Sequence, residues 1–299
     1  MMEFFYALIP VIGWGTWLAP SQNVRFPNQQ VKTLYVTVGN LLLATLVLVF
    51  QPAGSLAAIP STSFWLIFAG GLIWAGSSLC AFVATDRLGI ARAFGIWAPL
   101  NIIVSMLWGA LLFNEFPNRS SATLLVLAAS LVIIIAGVLL IIFSQNRQAS
   151  GPAVPRGAAL GYLGAVGAGI LWGTYFIPIE YADVSMWIGG FPLALGMISG
   201  SILLTALARR SPRLERRSDL LRTLLTGLIW SVGNFGMLLL VGALGAGRGF
   251  TIAQLSVVVN ALVGIFWLKE PKPGSRAAWL TLAGCVLATI GGIWLGTLR

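Results

Sequence analysis

Long apolar runs, each interrupted by a few polar residues, dominate the chain from end to end. Ten of them lie at approximately 4–22, 33–50, 64–85, 92–113, 122–143, 158–179, 186–207, 220–243, 249–268 and 277–297. Each approaches the ~20 residues with which a helix crosses a hydrocarbon core ~30 Å thick. The interruptions are local chemistry: Gln51-Pro52, Asp86-Arg87, Asn114 to Pro117, Glu180 to Asp183, Arg209 to Arg222, and Lys269-Glu270-Pro271. Between Ser144 and Arg156 the chain holds Ser, Gln, Asn, Gly and two Pro, which reads as a linker. Membrane β-barrels show short alternating segments. These runs are long and continuously apolar, so they predict an all-α membrane protein with ten transmembrane helices.

Composition agrees with that pattern. The chain is 58% hydrophobic and 9% charged, against about 25% charged in ordinary soluble domains. A soluble fold and a disordered chain are both excluded. The net charge of +10 does not point to nucleic acid, because the basic residues sit between apolar runs and act as topology signals. Fifteen of the 18 fall in alternate loops, including six in the stretch Arg209 to Arg222, and only Arg119, Arg248 and Arg299 fall on the opposite face. The rule that cytoplasmic loops are positive then places both termini outside, in a cell (inner) membrane. The basic loop itself reads as topology control ahead of a lipid-binding role. The N-terminal stretch has Glu3 as its first charge and no basic n-region, so it reads as a retained first span. His is absent, and Cys80 and Cys285 both lie in apolar runs. No metal site, disulfide framework, cofactor or enzyme is therefore expected.

The two halves repeat. Residues 12–20, IGWGTWLAP, align with 170–178, ILWGTYFIP. Gly71-Leu72-Ile73-Trp74 returns as Gly227-Leu228-Ile229-Trp230, followed by Leu88/Leu244, Gly89/Gly245, Arg92/Arg248, Phe94/Phe250 and Ile96/Ile252. Ala122/Ala277, Leu127/Leu282, Ala128/Ala283 and Gly137/Gly292 match near the C-terminal ends of the halves. The expected units are a first five-helix repeat at 1–146, a linker at 147–157 and a second repeat at 158–299. Five spans is an odd number, so the second half enters from the opposite face and the repeat is inverted. Secondary transporters are built in this way around a central site. Gly157/Gly161, Gly169/Gly173, Gly196/Gly200 and Gly292/Gly296 have the small-xxx-small spacing that lets helix backbones approach in lipid.

Five-plus-five inverted spans resemble the drug/metabolite transporter superfamily. Three stretches are similar to its glucose/rhamnose porter branch: WLAPSQNVRFPNQQ, DRLGIARAFGI and WLKEPKP. The resemblance covers nearly the whole chain. It implies a secondary carrier that takes up a neutral sugar or similar polyhydroxy solute by alternating access, driven by an H+ or Na+ gradient or uncoupled. The alternative within transport is an exporter of amino acids or lipophilic compounds, for which a carboxylate embedded in the membrane is the expected feature.

In such a carrier the solute sits near the midplane. The candidate binding residues are polar or aromatic and lie within spans: Trp14, Trp17, Trp74, Ser78, Trp97, Asn101, Trp172, Tyr175, Trp230, Asn234, Gln254 and Asn260. Amides offer both donors and acceptors to hydroxyls, and an aromatic ring offers a flat face to sugar C–H groups. The competing reading of the amides is hydrogen bonding between helices. Trp65, Trp187, Trp279 and Trp294, near span ends, are expected at the membrane interface. Pro20 and Pro178 read as helix terminators ahead of hinges. Coupling or gating candidates are Glu180 and Asp86, with the matched Arg92/Arg248 and Glu115/Glu270. A cation at a helix N-terminus and a carboxylate at a C-terminus both oppose the helix dipole, so each invites a partner.

Overall fold

The computed structural model describes residues 2–113, 120–143, 157–209, 211–214, 216–244 and 246–296. Glu115 and linker residues 147–156 lie outside the described residues, as does the side chain of Arg248. Among the described residues there is no strand. Twelve α-helices follow in order: α1 (Met2–Thr16), α2 (Gln29–Val49), α3 (Ser61–Leu88), α4 (Ile90–Leu112), α5 (Ser121–Phe143), α6 (Ala158–Trp172), α7 (Ile177–Ala182), α8 (Met186–Leu207), α9 (Arg217–Leu244), α10 (Ala246–Ala253), α11 (Ser256–Leu262) and α12 (Arg276–Gly296). Eight stretches among the described residues are long and apolar enough to cross a membrane, the α6–α7 stretch counting as one. Large apolar side chains face outward, Val49, Leu111, Leu125 and Trp267 being more than 70% exposed. Water would not tolerate so extended an apolar surface, and lipid tails would cover it. Trp65, Trp187, Trp279 and Trp294 are exposed too.

The expected runs at 4–22, 158–179 and 249–268 are broken helices. α1 ends at Thr16 and α6 at Trp172. Pro20 then enters a short 3-10 turn, Ala19–Ser21, and Pro178 enters the first turn of α7. A proline ring clashes with the carbonyl four residues earlier, here that of Thr16 and of Thr174. Those two hydroxyls bond back to Ile12 O at 2.8 Å and Ile170 O at 2.9 Å, a backbone competition that favours helix ends and bends. The 249–268 run is divided among α10, α11 and a π-helical turn, Val263–Trp267, with Gln254 at the first break.

Helix α2 starts earlier than its apolar run. The Asn28 side chain caps it, with Oδ1 accepting the Val31 N–H at 2.9 Å. Lys32 is thereby drawn into the first turn and buried. Between α3 and α4 the chain turns on Gly89 alone, at φ 78°, a conformation that disfavours residues with a Cβ.

Packing joins early helices to late ones: α2 with α9, α3 with α8, α1 with α9, α3 with α6, α1 with α11, α4 with α6, and α5 with α12. At two matched seams only glycine fits. A Cβ on Gly71 would strike Leu193 O and come within 2.8 Å of Gly196 Cα, and one on Gly227 would strike Val36 O and come within 3.0 Å of Gly39 Cα.

Candidate functional site

The broken ends of α1 and α6 meet α4, α9 and α10 in the middle of the bundle, around a cavity of about 20 Å³. Its walls are Trp14, Trp17, Phe94, Trp97, Asn101, Trp172, Tyr175, Trp230, Phe250 and Gln254. Three pairs of these are repeat mates: Trp14/Trp172, Trp17/Tyr175 and Phe94/Phe250. The rings form one continuous cluster. Trp172 lies 5.9 Å from Trp17, 5.3 Å from Trp97 and 6.4 Å from Trp74. Trp230 lies 4.5 Å from Trp74, 6.2 Å from Trp14 and 6.4 Å from Tyr175. Space of this size admits about one water molecule, so the aromatic walls are closed on themselves.

Some polar groups here are spent on structure and some are not. The Tyr175 hydroxyl donates to Asn234 Oδ1 at 2.7 Å. Trp14 Nε1 donates to Trp230 O at 3.3 Å, and Asn260 Nδ2 to Gly15 O at 3.2 Å. By contrast Asn101 Oδ1, Trp172 Nε1, Trp74 Nε1, Ser78 Oγ and Asn260 Oδ1 are buried with no hydrogen-bond partner. A buried polar group left unpaired is costly. The Asn101 acceptor and the Trp172 donor, both on the cavity wall, are therefore available to a hydroxylated solute.

A second, larger cavity of about 420 Å³ opens at the end of the bundle that carries the loops after α1, α3 and the π-helical turn. Gln22, Gln29, Lys32, Thr85, Asp86, Arg92, Lys269 and Glu270 supply its polar lining, with Phe26 as an apolar wall. Asp86 forms an ion pair with Arg87 at 3.5 Å. Arg92 interacts electrostatically with Glu270 across this space.

Of the twelve binding candidates, eight line the aromatic cavity. Trp74 and Asn234 stand behind it, holding Trp230 and Tyr175, and Ser78 and Asn260 are buried outside the lining. Asp86, Arg92 and Glu270 share the polar vestibule, whereas Glu180 is exposed on α7 and lines neither cavity. Phe94 and Phe250 were visible in the sequence only as repeat mates. Lys32, at 4% exposure, is counted among the loop charges in the sequence because its place depends on the Asn28 cap.

Apolar helices packed around a closed aromatic cavity, with a polar vestibule at one end, mark an integral membrane protein. The profile described as "Sugar transport protein" matches residues 5–298, and the chain belongs to that family. Two relatives, from two strains of Bacillus cereus, are each named "Probable glucose uptake protein GlcU". Each is 28% identical, over 302 and 301 residues, and each alignment covers 99% of both chains. The resemblance to the sugar-uptake branch thus holds along the whole length. A crystal structure of a protein 19% identical in sequence superposes with a TM-score of 0.61 over 100% of this chain and 99% of the other, a likeness of fold.

Proposed function

We propose that the protein is a secondary carrier that takes up a neutral sugar across the cell membrane by alternating access. Its ten crossings would form two inverted five-helix repeats, 1–146 and 158–299, joined by the 147–157 linker. The observation that carries the reading is the aromatic cavity. Its walls pair mates from the two repeats, its polar groups are amides and an indole N–H, and its described lining has no charged side chain. Such a lining suits a neutral polyol and offers no charge to a phosphate.

The packing supports the repeat. With α6, α8, α9, the α10–α11 stretch and α12 as mates of α1 to α5, every major contact has its reciprocal: α2·α9 with α3·α8, α1·α9 with α3·α6, α1·α11 with α4·α6. The matched Gly71 and Gly227 hold the two equivalent seams. Helices broken at a midplane site are a recurrent transporter device, and the WGT breaks in α1 and α6 fit it. We assign gating to the vestibule residues Asp86, Arg92 and Glu270, and any ion coupling to Asp86, which lines the vestibule, rather than to Glu180, which lines neither cavity. Arg248 and Glu115 would serve the opposite gate as their repeat mates.

Purified protein in liposomes tests this reading. Labelled glucose should enter faster than into empty liposomes, and unlabelled sugar should compete. Imposed H+ and Na+ gradients in separate arms would read the coupling. Absence of both uptake and exchange across a panel of neutral sugars would reject the proposal.

A further inference from the structure

The aromatic cavity is closed, and sugar-sized space lies elsewhere. The vestibule, at about 420 Å³, falls in the ~300–1,000 Å³ range of small-molecule sites. Three polar groups at its wall make no hydrogen bond among the described residues. Gln29 Oε1 and Arg92 Nε have no hydrogen-bond partner. Lys32 is 4% exposed, and its ammonium rests over the Phe82 ring at 4.7 Å and the Phe26 ring at 5.6 Å. Among the described residues it makes no hydrogen bond or ion pair. The Asp86 carboxylate, in the same lining, attracts it electrostatically, and with no hydrogen bond made its three donors can turn toward the vestibule.

We propose that this vestibule is a second solute site, which holds the sugar between the aromatic cavity and the adjoining aqueous side. Lys32 and Arg92 donate to sugar hydroxyls, and Gln29, Asp86 and Glu270 accept from them. Each hydroxyl both donates and accepts, so a lining that alternates cations, amides and carboxylates matches a run of them. Lys32, Arg92 and Lys269 stand against Asp86 and Glu270 in this lining, so a neutral sugar meets groups of either polarity wherever its hydroxyls fall. Lys32 also ties the two sites together. Phe82, beneath its ammonium, lies 5.7 Å from Trp17, a wall of the aromatic cavity. The inference rests on the sugar-uptake reading and adds a second occupancy to it.

Cysteine protection tests it. In a background with Cys80→Ala and Cys285→Ala, Val24→Cys reports the vestibule and Phe94→Cys the aromatic cavity. Glucose at about four times its dissociation constant should slow thiol labelling at position 24 by about fivefold, because labelling follows the unoccupied fraction. Protection at 24 should persist after Trp172→Ala, and in a parallel Trp97→Ala variant that serves if the first does not fold. Lys32→Met should abolish protection at 24 and leave that at 94, and Lys32→Arg should restore it. Protection at 94 but not at 24 overturns the second site alone. So does protection at 24 that vanishes with both cavity variants, since it would then be relayed from the first site. Stronger protection at 24 by glucose 6-phosphate than by glucose overturns the assignment to a neutral sugar. Protection at neither position rejects the uptake reading and the second site with it.

Discussion

Tyr175 and Asn234 meet across the bundle through one buried hydrogen bond of 2.7 Å. Tyr175→Phe leaves the Asn234 oxygen without its donor, a loss of about 1–3 kcal/mol that a lowered unfolding temperature of the purified protein should report. Adding Asn234→Leu should recover part of it, because both partners of the bond are then gone. Trp172 touches the rings of Trp17, Trp74 and Trp97. Trp172→Ala should therefore cost about 3–5 kcal/mol and abolish sugar uptake, while Trp279→Ala, at a site 65% exposed, should leave both near wild type. Trp14, Trp17, Trp172 and Tyr175 could be read from the sequence because the WGT motif occurs twice. Lys32 could not, since the Asn28 side chain rather than the apolar run sets where α2 begins.

Helix existence follows from apolar run length, and eight of the expected crossings appear as long apolar helical stretches. What run length does not carry is where a helix breaks. Apolarity continues unchanged through Gly13 to Leu18 and through Gly169 to Phe176, and only the downstream Pro20 and Pro178 stop the ladder. Nor does small-xxx-small spacing reveal which glycines touch. Gly196, in such a pair, meets Gly71, but the second seam joins Gly39 and Gly227, which no spacing rule singles out. Gly71→Ala and Gly227→Ala should each push a helix pair apart and destabilise the protein by about 1–3 kcal/mol. Gly242→Ala, where a Cβ meets nothing within 4 Å, should not. Thermal unfolding of the three variants in one detergent checks the contrast, and similar shifts for the two seam variants are expected if the seams are symmetry mates.

For the molecule as a whole, the distribution of basic residues makes a directional claim. It predicts the α8–α9 loop and the vestibule loops on the cytoplasmic face, and the loop between α2 and α3 outside. In the cysteine-free background, Ser211→Cys should react with an impermeant thiol reagent only in inverted vesicles. Ala57→Cys should react only in intact cells, and the reverse pattern would turn the molecule over. Charge and repeat together are the sequence features from which this orientation is expected. The vestibule was not legible, because its lining comes from loops after α1, α3 and the π-helical turn that meet only in the fold.

The cluster of indoles has an optical consequence. Six of the chain's 12 tryptophans are linked by centroid separations of 4.5 to 6.4 Å. Transition dipoles this close couple, so Trp74 and Trp230 in particular should give a paired band of opposite signs in circular dichroism and share excitation with their neighbours. A sugar that parts the walls of a cavity of about 20 Å³ must separate these rings and weaken that signal. The unlabelled protein would thus carry its own spectroscopic gauge of occupancy, and Trp74→Phe, which removes one partner of the closest pair, should erase most of the band.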